Sequence, residues 1–308
     1  MTWQELYDEW ASDCPYLKCH TSGSTGTPKV IDLPKEQVAA SARRTLDFFH
    51  LGSESRFHSC LAPDYVGGKM MMIRALLAGG RFTWERPSNH PLQDMESECI
   101  DLLCVVPAQM RDILDRIDSL PDIGAILIGG SPINTQLRQE IACSGLNCWE
   151  TYGMTETASH VALRPVTEPQ QWFSPLDGIS ISLQDACLAI DIPGWRQVVT
   201  NDIAEIDSNG RFRIVGRADN VIITGGLKVH PEEVEARLQP FLDFDFILTS
   251  RPDPLWGQRV VMLAEDPDIP DSAIMDICRQ RLQRHEVPKE IIHCGIPRTE
   301  SGKPLRRP

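Results

Sequence analysis

Residues 20–30 read HTSGSTGTPKV and crowd five hydroxyl side chains, two glycines and a lysine into one short stretch. Such a segment makes neither a stable helix nor a good strand, because Ser and Thr compete for backbone hydrogen bonds while Gly and Pro break regular structure. Its chemistry suits an anion. Glycines let backbone N–H groups approach phosphate oxygens, hydroxyls donate further hydrogen bonds, and a lysine adds charge. The sequence is not a P-loop of the G-x4-G-K-[ST] type: Gly23 and Gly26 are three apart, and Pro28 stands before Lys29. On composition alone the segment reads equally as a solvated turn.

The elements that must hold such a loop alternate along the chain. Residues 2–12 place Trp3, Leu6, Tyr7 and Trp10 at helical spacing. Strands are predicted at 30–33, 57–62, 81–85, 101–106, 125–130 and 147–153. Helices are predicted at 34–49, 70–78, 107–117 and 134–144. This strand–helix alternation with nearly continuous apolar strands predicts a mainly parallel sheet covered by helices on both faces. From about residue 178 short strands broken by Gly, Pro and Asp predict a small β subdomain. A last α+β unit starts near Asn220, with the boundary placed between domains 1–218 and 219–308. The fold class is therefore α/β, with a large first domain and a small second one.

The net charge of −13 argues against nucleic acid or an anionic membrane as partner. No apolar run approaches the roughly eighteen residues of a membrane span, and the acidic start of the chain lacks the apolar core of a signal peptide. Ten scattered cysteines without a C-x-x-C pair read as reduced thiols packed as small apolar residues, which points to the cytoplasm.

Four further motifs follow the loop in order: YGMTETAS at 152–159, TNDIAEID at 200–207, GRADNVIITGGLKVHPEEVE at 216–235 and IPRTESGKPLRR at 296–307. Together the five resemble the signatures of the adenylate-forming superfamily of acyl- and aryl-CoA ligases, peptide-synthetase adenylation domains and luciferases. The resemblance implies activation of a carboxylate by ATP and Mg²⁺, then transfer to coenzyme A. It also implies roles. Thr21, Ser22, Gly23, Ser24, Thr25, Gly26 and Lys29 would wrap the β- and γ-phosphates. Gly130, Ser131, Tyr152 and Gly153 would border the adenine. Thr155 would bond the α-phosphate and Glu156 would hold the metal. Asp202 and Arg217 would take the ribose, and Lys303 would bridge carboxylate and phosphate. The second domain would swing about a hinge at Asp219, bringing Gly225 and Gly226 beside the pantetheine arm.

In this superfamily an aromatic residue gates the acid pocket, and the resemblance implies that Tyr65 would be its counterpart. The helix after it carries Lys69 and Arg74. A cation turned inward is costly without an anionic partner, so either one facing the pocket implies an acid with a second anionic group. DYVGGKMMMIRAL, LIGGSPI and YGMTETASHVALRPV look most like the O-succinylbenzoate–CoA ligases of menaquinone biosynthesis. Lys69, Arg74 and His160 are then the candidates for holding the second carboxylate of an aromatic diacid. The chain departs from the superfamily in one respect: twenty residues precede the loop where a whole subdomain is usual. A homodimer would cover the face so exposed. Two other readings stay open: an enzyme that loads a carrier protein, and a non-catalytic nucleotide-binding relative.

Overall fold

The computed structural model describes residues 1–20, 30–93, 99–298 and 304–306. Their contacts divide into two compact units. The first is Met1–Ile181, Ile190–Val198 and Ser208–Arg211; the second is Ser182–Ala189, Val199–Asp207 and Phe212–Pro308. The hinge expected at Asp219 lies inside the second unit.

The first unit opens with α1 (Trp3–Ala11), β1 (Tyr16–His20), β2 (Val30–Pro34) and α2 (Lys35–Phe49). There follow β3 (Arg56–Ser59), α3 (Val66–Ala78), β4 (Arg81–Trp84), β5 (Ile100–Val105), α4 (Pro107–Asp115) and β6 (Ile123–Ile128). It continues with α5 (Thr135–Cys143), β7 (Cys148–Gly153), β8 (His160–Pro165) and β9 (Ser174–Pro175). Local chemistry sets the helix ends. Thr2 and Glu5 form a capping box at the start of α1. Pro107 starts α4, where its missing N–H is no loss. The Asn134 carboxamide oxygen accepts from Leu137 N at 2.8 Å to cap α5. Gly79, at φ +69°, ends α3 in the left-handed conformation that glycine tolerates best.

Seven strands join in the order β4-β3-β5-β6-β7-β8-β9. The pairs from β4 to β7 are parallel, and β8 and β9 continue the sheet antiparallel. Helices cover both faces. Met110 and Ile113 of α4 and Leu137 and Ile141 of α5 bury with Ile100, Leu103, Ile126 and Ile128 of the sheet. A second cluster joins Leu6 of α1, Leu17 of β1, Val38 and Ala42 of α2, and Met70 and Ile73 of α3. Each such side chain contributes about 1.5–3 kcal/mol when fully buried. The predicted strand at 30–33 does form, but it pairs antiparallel with β1 in a separate two-stranded sheet.

Four strands, β10 (Ser180–Gln184), β11 (Cys187–Asp191), β12 (Val198–Ile206) and β13 (Phe212–Arg217), make a further sheet in chain order. The second unit adds β14 (Ile222–Thr224), β15 (Leu227–Val229), α6 (Pro231–Leu238), β16 (Phe246–Asp253), β17 (Gly257–Ala264), α7 (Asp271–Arg281) and β18 (Glu290–His293). Its sheet runs β15-β14-β17-β16, with β18 parallel to β17. Val234, Leu238, Ile274 and Cys278 of the two helices close the core against Leu248, Val260 and Met262. The structure is thus mixed α/β, with a parallel-rich sheet and separate smaller sheets.

Candidate active site

The chain leaves β3 toward β4 on one side and returns through β5 on the other, so the winding direction reverses between β3 and β5. In open parallel sheets ligands bind outside the carboxyl ends of the strands at such a point. Several residues singled out in the first unit sit at these ends. Gly129 and Gly130 follow β6, Gly153 ends β7, and Tyr65 caps α3 just beyond β3.

The ground here is made of backbone. A Cβ on Gly129 would sit 2.6 Å from Thr151 Oγ1, and Gly130 holds φ +89°. On Gly153 a Cβ would meet Ser159 O at 2.2 Å and His160 Cα at 2.5 Å. Neither Gly129 nor Gly153 can carry a side chain without moving its neighbours. The 3-10 turn Thr155–Thr157 follows β7, burying the Thr155 side chain and exposing Glu156. Among the described residues no cluster of three or more His, Cys, Asp or Glu side chains could hold a metal. One exposed carboxylate in a tight turn fits Mg²⁺, which keeps several waters and takes its other oxygens from phosphate.

Tyr152 is half-buried, its ring 5.7 Å from that of Phe173. Arg164 lies 4.1 Å over the other aromatic in this stack, Phe173. Its guanidinium donates to Glu150 Oε2 through Nε at 2.8 Å and Nη2 at 2.6 Å, and Arg138 donates to the same oxygen. A buried carboxylate thus holds two guanidiniums, one of which braces the aromatic pair.

On the acid side, α3 begins at Val66, four residues earlier than the predicted 70. Its first turn presses on the preceding loop: a Cβ on Gly68 would lie 2.2 Å from Ala62 O. Tyr65 is exposed. Both cations of this helix are buried, each only 1% accessible. They sit five residues apart, about 140° around a helix turning 100° per residue, and they part company. Lys69 Nζ lies 3.0 Å from Met1 Sδ, and burial lowers its pKa against the opposing charges of Cys19, Glu9 and Asp64. Arg74 Nη2 donates to Ser159 Oγ at 2.8 Å, while Nη1 meets only sulfur, Met71 Sδ at 3.8 Å and Cys104 Sγ at 4.0 Å. Its Nε has no partner, and no carboxylate pairs it among the described residues. Burial lowers its pKa too, and pushes the Cys104 thiol up to about 11. His160 joins Arg74 rather than Lys69. Its Nδ1 is 3.4 Å from Ser159 Oγ and its Nε2 is 3.0 Å from Thr45 Oγ1. Burial, then the Arg74 charge, holds this imidazole well below its ordinary pKa and therefore neutral.

In the second unit Asp202 and Arg217 face each other across β12 and β13, with Arg217 Nη1 donating to Asp202 Oδ1 at 3.3 Å. Arg217 also donates to Asp219 Oδ2 at 3.2 Å. Burial disfavours this guanidinium, yet Asp202, Asp219 and Glu232 together hold its pKa above the ordinary value. Gly225 and Gly226 turn the β14-β15 hairpin at φ +56° and +80°, as a two-residue turn with both central residues at positive φ requires. Arg306 donates to both carboxylate oxygens of Glu235 and to Leu248 O at 3.0 Å, so the described end of the chain is pinned to α6 and β16.

Thr21, Ser22, Gly23, Ser24, Thr25, Gly26, Lys29 and Lys303 lie outside the described residues. Sequence reasoning missed Thr45, Ser159 and the Glu150–Arg138–Arg164 cluster. Only Ser159 carried a signal, as the last residue of YGMTETAS.

A family model described as AMP-binding enzyme matches residues 3–194. The 2-succinylbenzoate–CoA ligase of Salmonella typhimurium is 29% identical over 87% of the chain and 62% of the relative. The chain thus spans about three fifths of that curated relative's length. An AMP-forming acyl-CoA synthetase/AMP-acid ligase II-like protein from Dyadobacter fermentans is 31% identical, covers 98% of this chain and 91% of its own, and superposes with a TM-score of 0.66. The fold also matches o-succinylbenzoate CoA synthetase from Bacillus subtilis in complex with its acyl-adenylate intermediate, at 21% identity, TM-score 0.82, and coverage of 94% and 67%.

Proposed function

The chain belongs to the AMP-binding enzyme family, and from that premise we propose that it is an ATP-dependent acid–thiol ligase whose acid is o-succinylbenzoate, activated for menaquinone synthesis. In such a reaction a carboxylate oxygen attacks the α-phosphorus of ATP and pyrophosphate leaves. A thiolate sulfur of coenzyme A then attacks the acyl carbon and AMP leaves. Two anions must meet, so the protein's task is to position them and stabilise charge.

The observation that carries the acid's identity is Arg74. It is a fully buried cation with one neutral oxygen partner, and such a group is retained at a cost of several kcal/mol. A carboxylate from a ligand would repay that cost through paired N–H donors. An acid with one carboxylate to activate and a second to be recognised meets both needs. Lys69 faces Met1, so the recognition role falls to Arg74, with Tyr65 at the pocket mouth. The names of the relatives agree with this acid.

The remaining roles are proposals on the same footing. Gly130, Ser131, Tyr152 and Gly153 border the adenine, Thr155 bonds the α-phosphate, and Asp202 with Arg217 takes the ribose hydroxyls. Bound at Glu156, Mg²⁺ would neutralise phosphate charge. Thr21, Ser22, Gly23, Ser24, Thr25, Gly26 and Lys29 wrap the outer phosphates and Lys303 bridges carboxylate and phosphate. Domain 219–308 turns at Asp219 between half-reactions, which brings Gly225 and Gly226 to the pantetheine arm. All ten cysteines are free, which supports the cytoplasm as its place. Among the described residues no helix is long and apolar enough to cross a membrane.

A pyrophosphate-release screen over a panel of carboxylic acids tests the reading. Release with o-succinylbenzoate, and its coenzyme A thioester by mass spectrometry, are expected. Release with simple fatty acids and none with the aromatic diacid would overturn it.

A further inference from the structure

Arg74 does not stand alone in its pocket. Thr45 on α2 is fully buried, and its hydroxyl donates back to Ser41 O at 3.5 Å, the back-bond that Thr makes inside helices. A hydroxyl has one proton to give. With that proton directed to Ser41, Thr45 Oγ1 accepts from His160 Nε2 at 3.0 Å. A neutral imidazole carries one N–H, so Nδ1 is bare and accepts the Ser159 hydroxyl proton at 3.4 Å. With its proton spent, Ser159 Oγ turns lone pairs to Arg74 Nη2 at 2.8 Å. In this assignment every bond runs in one direction, from the guanidinium through Ser159, His160 and Thr45 to the Ser41 carbonyl. The chain links α2, α3 and the start of β8, all within the first unit.

We propose that Thr45, His160 and Ser159 form a directed hydrogen-bond chain that positions the Arg74 guanidinium for the second carboxylate of the acid substrate. This rests on the ligase reading above. His160 acts as a neutral spacer and not as a second cation, since it is buried beside the Arg74 charge with Nδ1 accepting from Ser159. Thr45 sets the direction: without its acceptor oxygen, Nε2–H loses its partner and the ring is free to move its proton to Nδ1. That tautomer would donate to Ser159 Oγ, so the guanidinium would share this oxygen with a second donor. Thr45, Ser159 and His160 are therefore positioning residues that select diacids over monoacids.

The test compares kcat/KM for o-succinylbenzoate with kcat/KM for 4-oxo-4-phenylbutanoate, which lacks the ring carboxylate, in wild type, Thr45→Val, Thr45→Ser and His160→Gln. Thr45→Val is expected to lower the diacid-to-monoacid ratio about tenfold, chiefly through KM, the scale of one buried hydrogen bond to a charged network. Thr45→Ser restores the ratio. Nitrogen-15 spectra of the His160 ring report the Nε2–H tautomer at neutral pH in wild type and its loss in Thr45→Val. An unchanged ratio in Thr45→Val, or a wild-type proton on Nδ1, overturns the chain. A wild-type enzyme that favours neither acid overturns the diacid reading itself, and the nitrogen spectrum then decides the chain independently.

Discussion

Replacing Arg74 with Met tests whether this cation serves a ligand or the fold. The side chain is 1% accessible and has one oxygen partner at 2.8 Å. Desolvation of such a charge costs several kcal/mol, and well-packed apolar replacements of buried charged groups often gain about 1–4 kcal/mol. Met is flexible enough to fill the slot among Met71, Cys104 and Ser159. Against that gain stands Ser159, which loses a donor at about 1 kcal/mol. The ligand-free variant is thus expected to be more stable by about 1–2 kcal/mol, or roughly 2–8 °C in melting temperature for a unit of this size. Binding should move the other way. Two charge-assisted hydrogen bonds to a carboxylate, each worth about 1.5–3 kcal/mol, are lost. KM for o-succinylbenzoate should then rise on the order of a hundredfold or more. The assays are thermal unfolding without ligand and pyrophosphate release with the diacid. A variant that melts several degrees lower would refute the reasoning, because it would show the guanidinium already satisfied within the fold.

Three further outcomes are expected. His160 has a folded-state pKa depressed below 6.5 by burial and Arg74, so its contribution to stability is complete above pH 6.5 and is lost as pH falls below it. Urea unfolding should show wild type losing about 1 kcal/mol more than His160→Gln between pH 7.5 and 5.5, toward the limit of about 1.4 kcal/mol per pH unit; equal losses would contradict this. Glu150→Gln leaves two buried guanidiniums around one amide and should cost about 3–5 kcal/mol in urea unfolding; a loss under 1 kcal/mol would show that water reaches the cluster. Lys303→Ala should block pyrophosphate release yet spare thioester formation from supplied acyl-adenylate, and an equal fall in both half-reactions would remove its assigned role.

Much of the architecture is legible in the residues, because the parallel strands are nearly continuous apolar runs and the helices carry their own start and stop signals. AILIGG, Pro107, Asn134 and Gly79 each mark a boundary that the structure keeps to within a few residues. Misreadings occur where tertiary contact overrides local preference. Gly67 and Gly68 fall outside the predicted helix 70–78, yet they lie in the first turn of α3, where Gly68 lets the helix press on Ala62. YLKCH gives too short an alternation to declare β1 without β2 beside it. QVVT and AEID read as separate short strands, yet β12 runs through both, with a bulge between Ile203 and Ala204. In the candidate site, cations on one helix are visible in the sequence, but which of them turns inward toward His160 is a matter of angle. Thr45 is invisible there: a threonine in mid-helix carries no mark of the imidazole that folding brings to it.

The crowded glycines at the ends of β6 and β7 have an evolutionary consequence. At Gly153 the floor assigned to the nucleotide is main chain packed against main chain, so a side chain added there collides with the backbone of Ser159 and His160. The acid site proposed above is shaped instead by side chains on α2 and α3, Thr45 and Arg74. On the proposed ligase reading, drift can retune which acid is taken while the nucleotide stays the same, and a designer seeking new products should diversify those helices and leave Gly153 untouched.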